Sequence, residues 1–312
     1  MDDIKKLTVG VLMGGPSAER EISLKSGRAV TAALRSRGVR VLEIGEKEEV
    51  AAGIESSGID LAFIALHGRF GEDGQVQSLL EARGIPYTGS GVEASRLALH
   101  KVLSRRRFEA AGLAVPPYRV IGPGEEIGVA PFPGSVVVKP SSEGSSIGLS
   151  IVGGGEEYRR ACAAARRYDR EIIAEKYLPG QELTVGVLEE RALPVIKIVP
   201  RKLFFDFEAK YTRGMTDFIL PAPLPPDRYR EVQEAGLRAH RALGCYAYSR
   251  ADIILGEDGV PYVLEVNTIP GFTATSLFPR AAAAAGVEFP DLCLKLMALA
   301  LLRCGKLLRA AL

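Results

Sequence analysis

Residues Ser249–Asn267 read SRADIILGEDGVPYVLEVN, two alternating runs joined by Gly256-Glu257-Asp258-Gly259. A glycine-bounded turn between such runs makes an antiparallel hairpin. With a two- or four-residue loop, Arg250 faces Glu265 and Asp252 faces Val263. Alternation then places Ala251, Ile253, Leu255, Val260, Tyr262, Leu264 and Val266 on one apolar face. Arg250, Asp252, Glu265 and Asn267 share the other. Two carboxylates and an amide oxygen at this spacing repel one another unless a cation sits among them. Mg²⁺, held by few protein ligands together with substrate phosphates, meets that need. An odd-length loop without a bulge would spoil the arrangement. The plainer alternative is a surface hairpin carrying weak salt bridges, which leaves Asn267 and the following Pro270-Gly271 without a purpose.

Upstream, Ser135-Val136-Val137-Val138-Lys139-Pro140 is a β-branched strand that delivers Lys139 to the head of SSEGSSIG, residues 141–148. Free amides and hydroxyls of such a loop can cover phosphate oxygens, although Gly/Ser loops also serve as flexible turns. No GxxxxGK[ST] loop occurs in the chain. Further back, strands at Leu7–Met13, Val39–Ile44 and Leu61–Leu66 alternate with helical stretches at Leu24–Arg37 and around Glu48–Ser56. This is the rhythm of a doubly wound α/β sheet, whose ligands sit beyond the carboxyl ends of the strands, here Gly14-Gly15 and His67-Gly68-Arg69. His67 is either a structural hydrogen bonder or part of a site. Gly89-Ser90-Gly91-Val92-Glu93-Ala94 satisfies a loose GxGxxA, but the first βα turn reads Gly14-Gly15-Pro16 instead, which argues against a dinucleotide fold.

The rhythm changes near residue 98 and again near 183, so the expected organisation is 1–98 doubly wound, 99–183 a small middle domain, and 184–312 a larger one closed by an amphipathic stretch, Leu292–Leu308. With 40 basic against 38 acidic residues, the chain lacks the excess that a nucleic-acid binder needs. Its one dense basic run, Arg105-Arg106-Arg107, reads as a solvated helix face. Four scattered cysteines and three histidines make no zinc site, so any metal is held by oxygen. Apolar runs fall short of the roughly 20 residues of a membrane span. The first residues lack a signal-peptide cleavage pattern, and the expectation is a soluble cytoplasmic protein with no membrane partner.

In chain order, GGPSAEREISLKSG, HGRFGEDG, YTGSG, VKPSSEGSSIG, EKY, EAKY, SRADIIL and LEVNTIPGFTATSLFP closely resemble the D-alanine–D-alanine ligase family of the ATP-grasp superfamily, over nearly the whole chain. The resemblance implies an α/β ATP-grasp fold: an N-terminal doubly wound, Rossmann-like domain, a small α+β central lid domain and a C-terminal α+β domain. It implies ligation of two D-alanines at the cost of one ATP, with Mg²⁺ or Mn²⁺, two ions in all, in a cytoplasmic homodimer that supplies peptidoglycan precursors.

Carried over by motif, Glu19 binds the first substrate's ammonium, with Ser145 and Tyr211 hydrogen-bonded to it and His67 beside that substrate. Arg250 and the Gly271 amide stabilise the oxyanion, and Ser276 takes the second substrate's carboxylate. Lys101, Lys139 and Lys210 neutralise ATP phosphates, while Glu175, the backbone around Lys176 and Leu178, and Glu182 hold adenine and ribose. Asp252, Glu265 and Asn267 resemble the magnesium ligand set. Three departures stand out: His100 where the family usually has Asp before the phosphate lysine, Phe272 in place of Met, and Ala247 in place of Gly. Another ATP-grasp carboxylate–amine ligase would keep Lys139, Asp252, Glu265 and Asn267 but lose Glu19, Tyr211 and Ser276, and a nucleotide-sensing module could dispense with the metal ligands and Arg250.

Overall fold

The computed structural model describes residues 6–45, 49–200 and 215–305. The first part contains β1 (Thr8–Leu12), α1 (Arg20–Ser36), β2 (Arg40–Ile44), α2 (Val50–Ser57), β3 (Leu61–Ile64), α3 (Gln75–Ala82), α4 (Val92–Leu99) and α5 (Lys101–Ala110). The middle part contains β4 (Tyr118–Ile121), β5 (Val136–Pro140), β6 (Ser150–Val152), α6 (Gly155–Ala165) and β7 (Ile172–Lys176). The last contains β8 (Gly180–Leu188), β9 (Arg191–Ala192), β10 (Ile196–Pro200), β11 (Thr216–Ile219), α7 (Pro226–Ala242), β12 (Tyr248–Gly256), β13 (Pro261–Asn267), α8 (Leu277–Ala284) and α9 (Phe289–Arg303). No described helix is long and apolar enough to cross a membrane.

Three sheets result. β2-β1-β3 is parallel, and its inner strands β1 and β3 are apolar and buried while the edge strand β2 exposes Arg40 and Leu42. β4-β7-β5-β6 is antiparallel, with α6 packed over Val136, Val138 and Ile172. β11-β10-β8-β12-β13 is antiparallel, with β9 paired to β8, and α7 seals one face over Val185, Ile253 and Val263. The expected amphipathic stretch at the C-terminal end is a helix through Arg303 with an almost continuously buried run, Leu296–Leu301. Leu292 and Leu296 share a core with Val9, Val30 and Phe63, so the last described helix covers the first sheet. Phe272, Phe63, Tyr248, Phe278 and Phe289 form a ring cluster in that core, which the Phe272 ring helps to fill.

The hairpin differs from the reading of its turn. Leu255 pairs with Pro261 and Ile253 with Val263, then the register shifts, and Asp252 pairs with Glu265, Ala251 with Val266 and Arg250 with Asn267. Arg250 therefore faces Asn267 rather than Glu265, and Asp252 faces Glu265 rather than Val263. A bulge at Leu264 absorbs the extra residue that an odd register introduces. It also inverts the parity of the strand below it. Val263 is fully buried, Tyr262 leaves the expected apolar face to donate to Asp258 Oδ2 at 2.7 Å, and Leu264 joins Glu265 on the open face.

The Arg105-Arg106-Arg107 run also needs correction. Arg106 and Arg107 are exposed, but Arg105 is fully buried, one helical turn after buried Lys101 on the same face of α5.

Two stability outcomes follow from these positions. Val263→Asp should lower the thermal unfolding midpoint by on the order of 5 °C or more, because it buries an unpaired charge. Leu264→Asp should leave the midpoint nearly unchanged; a larger loss at Leu264 than at Val263 would restore the register expected from the sequence, with Asp252 opposite Val263. Ala247 sits at φ 63°, the left-handed region that disfavours a Cβ. Ala247→Gly should therefore raise stability by about 0.5–1 kcal/mol in denaturant titration, the relief of strain exceeding the added freedom of the unfolded chain.

Candidate active site

Two adjoining cavities lie between the sheets. The larger, ≈ 450 Å³, opens between the middle and last sheets and is lined by Lys139, Glu175, Lys176, Leu178, Glu182 and Asp252, among others. The smaller, ≈ 300 Å³, holds Glu19, His67, Ser145, Arg250, Gly271 and Ser276. Lys101, Glu143 and Glu265 line both, so they form the common wall. The structure thus brings every described candidate residue to one cavity or the other. Lys210 and Tyr211 lie outside the described residues.

In the larger cavity, β5 carries Lys139 to within 3.0 Å of Glu175 on β7, and Arg105 reaches the same carboxylate oxygen. All three are buried, leaving two cations on one anion. Burial holds the Lys139 ammonium below its ordinary value, while Glu175 works the other way. Such a wall favours an anionic ligand. Ile254 and Leu264 add apolar surface on the same side as Asp252 and Glu265. Arg105 stacks 5.5 Å from the Tyr118 ring, and its Nε and one terminal nitrogen have no hydrogen-bond partner among the described residues. The sequence clue to Arg105 was its four-residue spacing from Lys101, hidden by the charge run. His100 supports Lys101 indirectly: its Nδ1 lies 3.1 Å from Ser141 Oγ, and the Ser141 carbonyl accepts from the Lys101 amide at 2.8 Å.

The residues on and beside the common wall have the chemistry of a hard-cation site. Arg250 donates to both Asp252 oxygens at 2.9 and 2.7 Å, and Thr184 donates to Oδ1 at 2.7 Å. Lys101 Nζ lies 3.4 Å from Glu265 Oε2. Asn267 Oδ1 accepts from the Ile269 amide at 2.9 Å and retains a second lone pair. Among the described residues no three of His, Cys, Asp and Glu form a metal cluster. Two facing carboxylates and an amide oxygen nevertheless fit Mg²⁺ or Mn²⁺, which keep their remaining positions for water and phosphate oxygens.

In the smaller cavity Glu19 stands at the N-cap position of α1, its side chain making no capping bond, and is 7% exposed. Two glycines give it room: a Cβ at Gly68 or Gly144 would stand 2.8 or 2.9 Å from Glu19 Oε2. The second glycine lets the 141–148 loop close on the first sheet, where Ser145 donates to Glu19 Oε1. Ser145 and Ser146 hold φ of 49° and 60°, backbone strain of the kind that concentrates at functional sites. Arg69 pairs with Glu143 at 2.6 Å and donates to the Tyr168 carbonyl at 3.0 Å, holding the loop from the other side.

Opposite Glu19, Ser276 caps α8 and its Oγ accepts from the Thr273 amide at 3.1 Å. Gly271 approaches it so closely that a Cβ there would lie 3.3 Å from Ser276 Oγ. His67 is buried, with Nε2 3.0 Å from Ser26 Oγ and Nδ1 3.0 Å from the Ile269 carbonyl. Burial lowers its pKa to about 4, against the Ile269 hydrogen bond, and Arg250 lowers it further. Glu72 also lines this cavity and accepts from the Gly68 amide at 2.7 Å. Burial pushes its carboxyl well above the ordinary carboxylate range, and the neighbouring Glu19 charge pushes the same way. Sequence reasoning passed over Glu72 because Gly71-Glu72-Asp73-Gly74 reads as a polar turn.

The sequence profile of the D-ala D-ala ligase C-terminus matches residues 108–298, and that of the D-ala D-ala ligase N-terminus matches residues 42–90. A D-alanine–D-alanine ligase of Geotalea uraniireducens is 51% identical over 305 residues, 97% of this chain and 98% of the relative. One of Citrifermentans bemidjiense is 49% identical over 304 residues, 97% and 99% of the two chains. The crystal structure of D-alanine–D-alanine ligase from Bacillus anthracis complexed with ATP superposes with a TM-score of 0.85 at 32% identity, covering 96% of this chain and 99% of that one. By sequence and by fold, the chain belongs to the D-alanine–D-alanine ligase family of the ATP-grasp superfamily.

Proposed function

We propose that the protein joins two D-alanines into D-alanyl-D-alanine at the expense of one ATP, through a D-alanyl phosphate, for peptidoglycan precursor synthesis. The observation that carries this reading is the pair of cavities with a common wall of Lys101 and Glu265: a cation-lined one suited to a nucleotide, and one suited to an amino acid. ATP occupies the larger cavity, its phosphates against Lys139 and Lys101 and its base and ribose toward Glu175, Leu178 and Glu182. Asp252, Glu265 and Asn267 hold Mg²⁺ or Mn²⁺, two ions in the full assembly, which supply charge neutralisation of the phosphates during phosphoryl transfer.

The first D-alanine places its ammonium on Glu19, which Ser145 holds in place. Its carboxylate then points to the common wall and attacks the γ-phosphorus, releasing ADP. The amine of the second D-alanine, its carboxylate on Ser276 at the start of α8, attacks the acyl carbon. Arg250 and the Gly271 amide receive the developing oxyanion, an effect worth ~3 kcal/mol per donor, and phosphate leaves.

The direct experiment supplies ATP and Mg²⁺ with D-alanine, L-alanine or D-lactate and follows phosphate release alongside product mass. D-alanine-dependent release with a D-Ala–D-Ala product is expected. Turnover only with another carboxylate and amine would overturn the substrate and leave the nucleotide site. Glu19→Gln removes a charge-assisted contact to the ammonium, so KM for the first D-alanine should rise about 10- to 100-fold while KM for ATP stays within about twofold. An equal rise in both would remove Glu19 from the substrate site. Chelation should stop turnover and added Mg²⁺ or Mn²⁺ restore it, with Asp252→Asn needing more metal for half-maximal rate; full activity in chelator would refute the metal assignment.

A further inference from the structure

We infer that Ser26 is a positioning residue for the ligation, clamping the backbone on both sides of Gly271 together with His67. The inference rests on the reading of the Gly271 amide as an oxyanion donor. Ser26 lies on the same buried side of α1 as Ser23, seven residues beyond Glu19, and is 1% exposed. Its Oγ accepts from the Phe272 amide at 3.1 Å and lies 3.0 Å from His67 Nε2. The other ring nitrogen, Nδ1, lies 3.0 Å from the Ile269 carbonyl.

These contacts leave one arrangement of protons. A carbonyl oxygen only accepts, so His67 Nδ1 carries the hydrogen. Burial keeps the ring singly protonated, so Nε2 has a lone pair and the Ser26 hydroxyl donates to it. The Ser26 oxygen then remains free to accept from Phe272. The path runs from the Phe272 N–H to Ser26, from Ser26 to His67, and from His67 to the Ile269 carbonyl, without an ambiguous link. Both ring nitrogens are committed, so His67 acts through the loop and not as an acceptor for a substrate proton.

The two backbone groups that this chain grips, Ile269 C=O and Phe272 N–H, flank Pro270-Gly271. Gly271 also lies against Ser276, so slack in the clamp displaces the oxyanion donor relative to the second substrate's serine. The Phe272 ring remains packed 5.5 Å from Phe63 and 5.9 Å from Tyr248 whatever happens to its amide. Loss of the Ser26 hydroxyl should therefore misplace the donor without unfolding the domain. A displacement on the order of 1 Å near a reacting group lowers rate by up to about a hundredfold.

The experiment compares wild type, Ser26→Ala, His67→Ala and the double variant by D-alanyl-D-alanine formation, with separate KM values for ATP and D-alanine. Ser26→Ala should lose about ten- to a hundredfold in kcat with KM for ATP within about twofold of wild type. The double variant should fall no more than about twofold below the worse single one, because both act on one loop. A kcat for folded Ser26→Ala within twofold of wild type, multiplicative losses in the double variant, or a parallel rise in KM for ATP would each overturn the clamp. If Ser26→Ala does not fold, Ser26→Cys keeps the volume with a poor donor, and the same criteria apply to it. Wild type without D-alanine-dependent product would overturn the proposed ligase reaction instead, so the two failures are distinguishable.

Discussion

Charged groups removed from water must find partners, and the centre of this molecule is organised by that requirement. Lys101 and Arg105 come from α5, Lys139 from β5, Glu175 from β7, and Arg250, Asp252 and Glu265 from the β12–β13 hairpin. Each cation is matched to a carboxylate: Lys139 and Arg105 to Glu175, Lys101 to Glu265, and Arg250 to Asp252. The Lys139–Glu175 pair lies within the middle sheet, Arg105 ties α5 to that sheet, and Lys101 adds an ion pair to the last sheet, against which α5 packs. Two cations on the single Glu175 carboxylate leave that wall net positive, ready for an anionic ligand.

The bulge at Leu264 is the local device that makes the common wall possible. Without it, the pairing of Ile253 with Val263 would continue as Asp252 with Leu264 and Ala251 with Glu265, and Glu265 would turn into the core. With it, two consecutive residues of β13 face the cavity, so Leu264 supplies apolar surface and Glu265 stands directly opposite Asp252. Bulges concentrate beside active sites because they re-aim a side chain at the cost of one ladder position. Here the cost falls on an edge strand, where β13 has no second partner among the described strands.

Much of this was legible in the sequence. The three opening strands, the β-branched strand before Lys139 and the polar face of the hairpin all follow from short-range periodicity, which reports burial directly. The bulge does not, because Tyr262, Val263 and Leu264 are each compatible with either face and only the partner strand decides. Arg105 was obscured for a different reason: a run of like charges is normally solvated, and the carboxylate that draws Arg105 inward is 70 residues away in sequence. Glu72 and Ser26 are polar residues in ordinary local settings, and their burial arises from long-range packing. The motif resemblance supplied the substrate, which no periodicity encodes.

The smaller cavity is lined by charges of both signs: Glu19, Glu72, Glu143 and Glu265 with Lys25, Lys101 and Arg250. Were Glu72 ionised beside Glu19, two like charges would share one buried corner. Burial and the Glu19 charge instead favour the protonated form of Glu72. His67, neutral for the same reason of burial, adds no positive charge near Glu19. Burial, which elsewhere in the molecule forces charges to pair, here removes surplus charge beside Glu19.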